Sequence, residues 1–309
     1  MKYWVGVTDN HWFEFLRQAK PDEVNFWQPR GMVSFSGLQP GSPFLFKLKR
    51  PHNHIAGGGY FVKSTSLPLS IAWETFGQKN GAASRQVFEA MIRKLATDPS
   101  VRDPEIGCTV LSQPFFWPDD QWIPEPIAFS GNIVRGKYYD SAEPDAARLW
   151  GMVESRIGIW SISEGLHKVA EPLPVSRYGQ PTLIKPRLGQ GAFRVLVTDA
   201  YRRRCALTGE STLPVLDAAH ILPFAENGPN DASNGLLLRS DFHKLFDLGM
   251  ITVTPEFRME VSPRIREEWF NGKAYYRLHG QALPNLPEEV ADQPDSQYLR
   301  WHNDNVYQA

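Results

Sequence analysis

Apolar and polar positions change their period several times along this chain, and each change predicts an element. Residues 3–7 (YWVGV) form a short apolar run, expected as a strand. Residues 11–18 place Trp12, Phe15 and Leu16 on one face of a short helix. At 43–49 (PFLFKLK) apolar and polar residues alternate, the mark of a half-buried strand. The stretch 50–59, with three glycines, reads as a flexible turn before a returning strand at 60–63. A helix carrying Trp73 and Phe76 follows. At 84–96, Val87, Met91, Ile92 and Leu95 recur at helical spacing and predict an amphipathic helix. Residues 107–111 are a further strand, and 114–126 gather Phe115, Phe116, Trp117 and Trp122.

The second half has a different rhythm. A helix is expected over 142–157, started at Ser141 with Pro144 in its first turn. Several prolines at 172–186 suggest an extended connector, and 190–204 a further helix exposing its arginines. Residues 213–222 are an apolar run that holds His220. Pro, Gly, Asn and Asp then build 223–233, as turns require, and 235–239 is a second apolar run. Ser240 can cap a helix of about two turns, and Gly249 sits where a left-handed stop belongs. A hairpin is expected from 250–254 and 259–262, then a helix over 265–270. The fold class is α+β, in three parts: a strand-rich domain at 1–135, a helical linker at 136–188 and a compact domain at 189–309.

Composition narrows the class. The chain has 309 residues, 42% of them hydrophobic and 22% charged, enough for two packed domains. The net charge of -1 gives no overall basic character, so contact with nucleic acid would need a local basic surface. Two cysteines exclude a disulfide scaffold or a four-cysteine zinc ribbon, so Cys205 is expected as a small buried residue. No leader-like or membrane-length apolar run stands out, and a cytoplasmic protein is expected.

Candidate chemistry lies in one window. His220, Asn234 and His243 follow each other within 205–249. A neutral imidazole can take a proton from water near neutral pH, and a second imidazole can hold a divalent cation beside a phosphodiester. Asp217 and Asp247 are the candidate acidic partners, with Asp217 ranked first. Three residues before His220, Asp217 falls on the opposite face of an ideal strand, so a bulge would be needed to turn it toward the cation. Asp247 lies four residues after His243 on one helix face. Arg202, Arg203, Arg204 and Arg239 are candidate phosphate contacts.

The strings GQGAFR at 189–194, YRRRCALTG at 201–209, DAAHILP at 217–223, NGLLLRSDFHKLFDLG at 234–249 and RWH at 300–302 together resemble the HNH (ββα-metal) nuclease family. The likeness extends especially to the branch of that family fused to modified-DNA readers in predicted restriction endonucleases. The resemblance implies His220 as general base, Asn234 as a brace for the hairpin loop and His243 as metal ligand, with Mg²⁺ first among several usable ions. It also implies double-stranded DNA as substrate, with a homodimer or two copies meeting on it to cut both strands. His302 is expected to pack against the core without chemistry.

YWVGV, the FKLK…GGGYF pair and W-x-x-F-G at 73–77 resemble PUA-like domains, which include EVE and SRA-type readers of modified bases. That resemblance implies a β-barrel-like fold whose pocket accepts a flipped base. Trp27, Tyr60, Trp73 and Phe76 are candidate pocket walls, and Asn53 or Asn80 could read a base edge. The competing readings are a nuclease whose front domain senses a small signalling ligand, a partner or a phosphorothioate backbone, and a module that holds DNA without cutting.

Overall fold

The computed structural model describes residues 1–31, 35–95, 98, 100–126, 129, 132–165 and 187–309. The chain forms two compact units, Met1–Arg187 and Leu188–Ala309. The connector expected at 172–186 lies outside the described residues.

Unit 1 is built on a mixed sheet. Its strands are β1 (Lys2–Thr8), β2 (Glu23–Gln28), β3 (Pro43–Leu48), β4 (His54–Pro68), β5 (Glu105–Phe116), β6 (Ile123–Pro124) and β7 (Gly136–Asp140). The order is β2-β5-β4-β3-β1-β7, with β6 beside β4. The path is open, so the expected barrel is not closed by the described strands. Alternation along each strand sends neighbours to opposite faces. Tyr3, Val5, Leu45 and Ile55 join one core, with Ala146, Leu149, Trp150 and Val153 of a helix, α4 (Pro144–Gly165). Trp4, Phe44, Phe46 and Ala56 join another, with Trp12, Phe13 and Leu16 of α1 (Asn10–Ala19). Both faces are covered, which is why β3 is buried along its whole length.

Three local expectations change. The glycines at 57–59 lie inside β4, not in a turn. A Cβ on Gly57 would stand 2.2 Å from the Phe115 carbonyl oxygen, so the missing side chain lets β5 approach. Helix α2 (Leu69–Phe76) is followed by α3 (Arg85–Leu95), whose buried residues are Phe88 and Ile92. Val87 and Leu95, expected in the buried stripe, are exposed. Residues 136–165 do not form a free linker, because β7 pairs with β1 and α4 packs into the core of unit 1.

Unit 2 is smaller and local. Its elements are α5 (Gln190–Ala200), a hairpin of β8 (Leu216–His220) and β9 (Gly235–Arg239), α6 (Ser240–Asp247), a second hairpin of β10 (Ile251–Val253) and β11 (Met259–Val261), α7 (Arg264–Trp269), α8 (Lys273–Tyr276) and α9 (Ser296–Asn305). Phe193 and Val197 of α5, Leu236–Leu238 of β9 and Phe242 and Phe246 of α6 meet in one core. Cys205 is free and buried there, and its sulfur accepts from the Arg239 backbone N–H. Gly249 has φ +68 and ends α6 as expected. Ser240 does not cap that helix: Arg239 is the cap residue, and the Ser240 hydroxyl donates to the Val215 carbonyl.

Candidate active site

Strand β8 ends on His220, paired across the hairpin with Gly235. Its ring lies flat on Phe193, with centroids 3.8 Å apart and planes 12° from parallel. Nε2 is 2.8 Å from Asn230 Oδ1, and Asn230 Nδ2 donates to the Leu188 carbonyl at 2.6 Å. Burial lowers the His220 pKa and His243 adds to the shift, while the bond to Asn230 and the charge of Asp247 oppose it. The ring is therefore neutral near neutral pH, the form that accepts a proton.

Asn234 is fully buried. Its Oδ1 accepts from the Leu222 N–H at 2.8 Å, and its Nδ2 donates to the carbonyls of Leu222 and Pro229, both at 2.9 Å. One amide thus ties residue 222 to residue 229 and satisfies three backbone groups that the loop would otherwise bury unpaired.

His243 projects from α6, which packs on both strands of the hairpin. Its Nε2 is 3.4 Å from Asp247 Oδ2, and its Nδ1 is 3.6 Å from Asp217 Oδ2. His220, His243 and Asp247 line one cavity of about 350 Å³, together with Phe224 and Val306. Burial raises the Asp247 pKa and Asp217 adds to the rise, against the pull of the two histidines. β8 and β9 pair without a register shift, so no bulge turns Asp217 toward His220. Asp217 meets the Nδ1 edge of the His243 ring, while Asp247 stands at the Nε2 edge and lines the cavity.

An imidazole nitrogen and a carboxylate oxygen 3.4 Å apart can both touch one divalent cation at about 2.0–2.2 Å. The cavity leaves the rest of such an ion's shell to water and phosphate. The donor set fits the group, as a site of two protein ligands. Among the described residues, no three His, Cys, Asp or Glu side chains converge as a metal cluster.

The arginines are not on a helix face. α5 stops at Ala200, and Arg202 and Arg203 follow with φ +53 and +58. Arg202 is engaged by Glu288 and by Asn285 Oδ1, the latter at 3.0 Å. Arg203 is half-buried and Arg204 exposed. Arg239 makes two bonds to Asp241, at 2.6 and 2.8 Å, and lies over the Phe242 ring.

In unit 1 the four candidate pocket walls do not come together. Trp27 and Trp73 both pack against Phe88. Trp27 Nε1 donates to the Asn80 carbonyl. Phe76 is buried, and Tyr60 belongs to the core on the α4 side, against Phe115. Burial pushes the Tyr60 hydroxyl up to about 12. Asn80 is buried, its amide bonded to the Ala72 and Gly77 carbonyls and to Asn25. Asn53 accepts from Lys47. Asn80 thus holds backbone and a buried side chain, while Asn53 is engaged by Lys47.

His302 is buried, stacked on Phe246 at 3.7 Å and bonded to Thr252 and to the Phe246 carbonyl. Its pKa is lowered to about 4, chiefly by burial. Sequence reasoning singled out neither Phe193 nor Asn230. Phe193 lies in the GQGAFR string without being set apart there, and nothing in the composition of 223–233 separates Asn230 from Asn227.

Residues 205–254 match the family HNH_2, described as HNH endonuclease. No curated protein matches the chain. Among solved structures, ASCH from Zymomonas mobilis is similar at 13% identity over 48% of this chain and 94% of its own, with a TM-score of 0.32. A modification-dependent restriction endonuclease, TagI, is similar at 14% identity over 93% of this chain and 76% of its own, with a TM-score of 0.28. Scores this low carry no structural argument. The family match stands by itself, and unit 2 holds an HNH endonuclease domain. Among the described residues, no helix is long and apolar enough to cross a membrane.

Proposed function

We propose that this chain is a modification-dependent DNA endonuclease that cuts with unit 2 and reads a modified base with unit 1. The cutting half is carried by one observation: a neutral His220 shares a cavity with His243 and Asp247. The reading half rests on the PUA-like strings of the N-terminal sequence.

In this reading His220 takes a proton from the attacking water, and general-base help of this kind is worth about 10²–10⁴-fold. Asn234 holds the loop that follows the base. His243 and Asp247 would hold a divalent cation, Mg²⁺ in the simplest case, whose charge when bound offsets that growing on the phosphate and the leaving oxygen. Asp217, at the other edge of the His243 ring, orients that ligand. Arg204, exposed at the end of its run, contacts a phosphate of double-stranded DNA.

The test is nicking of supercoiled plasmids that differ in one modification: none, a modified base, or a phosphorothioate backbone. His220→Ala is expected to lose nicking by about 10²–10⁴-fold with its fold intact by circular dichroism. Equal nicking by both proteins removes His220 from its role. Equal nicking of all plasmids by the parent removes the reader.

A further inference from the structure

We propose that Asn230 is a positioning residue that fixes His220 in one tautomer and leaves Nδ1 as the nitrogen that accepts the proton. The proposal deepens the reading of His220 as the base and rests on it.

The Leu188 carbonyl can only accept, so the Asn230 amide must turn its NH₂ toward it, at 2.6 Å. Asn230 Oδ1 then faces His220 Nε2 at 2.8 Å. An amide oxygen also can only accept, so Nε2 carries the hydrogen. A neutral imidazole has one N–H, and Nδ1 therefore keeps its lone pair. Turning the ring over would aim a C–H at the amide oxygen and lose the bond. Phe193, parallel to the ring within 12°, fixes the plane in which Nδ1 points.

Both restraints come from one short piece of chain. Leu188 supplies the carbonyl that aims the amide, and Phe193, five residues on, supplies the flat face. The same geometry connects Asn234 to the base. Asn234 does not bond His220; it grips the Pro229 carbonyl, one residue before Asn230. Its pull on the loop reaches the imidazole through the neighbouring amide. Asn230 touches neither of the proposed cation ligands through any bond described above, so its effect falls on the base.

The experiment is long-range ¹H–¹⁵N NMR of the full-length, metal-free protein with labelled histidine, His220 being assigned by its loss in His220→Gln. The parent is expected to show His220 with hydrogen on Nε2, Asn230→Ala a mixture of the two tautomers, and Asn230→Asp, which loses the donor to Leu188 but keeps an acceptor for Nε2, hydrogen on Nε2 as in the parent. In plasmid nicking, Asn230→Ala is expected to lower kcat about 10–100-fold with KM within about twofold, and Asn230→Asp to recover most of the loss. Hydrogen on Nδ1 in the parent overturns the proposal. So does an Asn230→Ala protein with the parent's tautomer and kcat, or equal losses in both Asn230 variants with the tautomer unchanged, the mark of a merely structural residue. If His220→Ala nicks like the parent, the base reading fails by itself, while the tautomer signal still decides what Asn230 does.

Discussion

Aromatic rings have different neighbours in the two units. In unit 1 rings meet rings, many of them edge to face: Trp12 on Phe26 and Phe46, Phe13 on Phe116, Phe35 on Phe44. In unit 2 two phenylalanines lie flat on imidazoles, Phe193 on His220 and Phe246 on His302. Edge-to-face packing suits a core, because it buries area and matches the positive edge of one ring to the negative face of another. A flat contact does something else for histidine. It fixes the ring plane and leaves both nitrogens, which lie in that plane, to find partners. The two stacked histidines then differ in burial and in partners. Both border the cavity, but His302 is buried with both ring nitrogens bonded, while His220 is half-buried.

The largest expected effect tests whether the hairpin loop is the frame of that cavity. Asn234→Ala leaves three backbone groups unpaired in a buried site, and should lower unfolding stability by about 4 kcal/mol in urea melts, with nicking lost. A loss below about 1 kcal/mol would make the amide dispensable to the frame.

The next separates the two histidines. His302 has a folded pKa near 4 against an ordinary 6.5, so the unfolded state binds the extra proton between those values and stability rises with pH there. The contribution is complete above about pH 6.5 and falls by about 3 kcal/mol as pH drops toward 4. His302→Gln should flatten that part of the stability–pH curve; an unchanged slope would show that the ring titrates normally.

A third distinguishes the two acids beside His243. Asp247→Asn is expected to weaken binding of Mn²⁺ by about 100-fold in calorimetry, and Asp217→Asn by about 10-fold, as for a ligand and its orienting partner. The reverse order would return Asp217 to the cation. The smallest effect concerns the flat face itself. Phe193→Leu keeps an apolar side chain of similar volume, so stability should change by less than about 1.5 kcal/mol, while nicking falls about 10-fold as the ring plane loosens. Unchanged nicking would reduce the stack to packing.

The difference between the units also explains what could be read from the chain. The nuclease window is contiguous: hairpin, turn and helix follow one another, and His220 and His243 are brought together by local elements whose periods and turn residues are plain. Unit 1 joins β1 to β3 and β7, and β4 to β5, across long sequence separations. Helical spacing at 84–96 suggested Val87, Met91, Ile92 and Leu95 as the buried stripe; Ile92 is buried, but Val87 and Leu95 are exposed and Phe88 is buried instead, against Trp27 and Trp73. Spacing gives a periodicity, but which face is covered depends on a partner far away in the chain.

The sequence by itself determined the α+β character, the two hairpins of unit 2, the stop at Gly249 and the window that carries His220, Asn234 and His243, because each is a matter of period, turn chemistry or short-range order. Only the tertiary structure decided that α4 belongs to the sheet of unit 1, that Asp247 rather than Asp217 lines the cavity, and that Asn230 and Phe193 hold the imidazole. Those outcomes depend on directions in space. A carboxylate three residues before a histidine and one four residues after another look alike in sequence until a helix is laid on a strand, and an asparagine in a turn aims its amide only once a carbonyl is there to fix it.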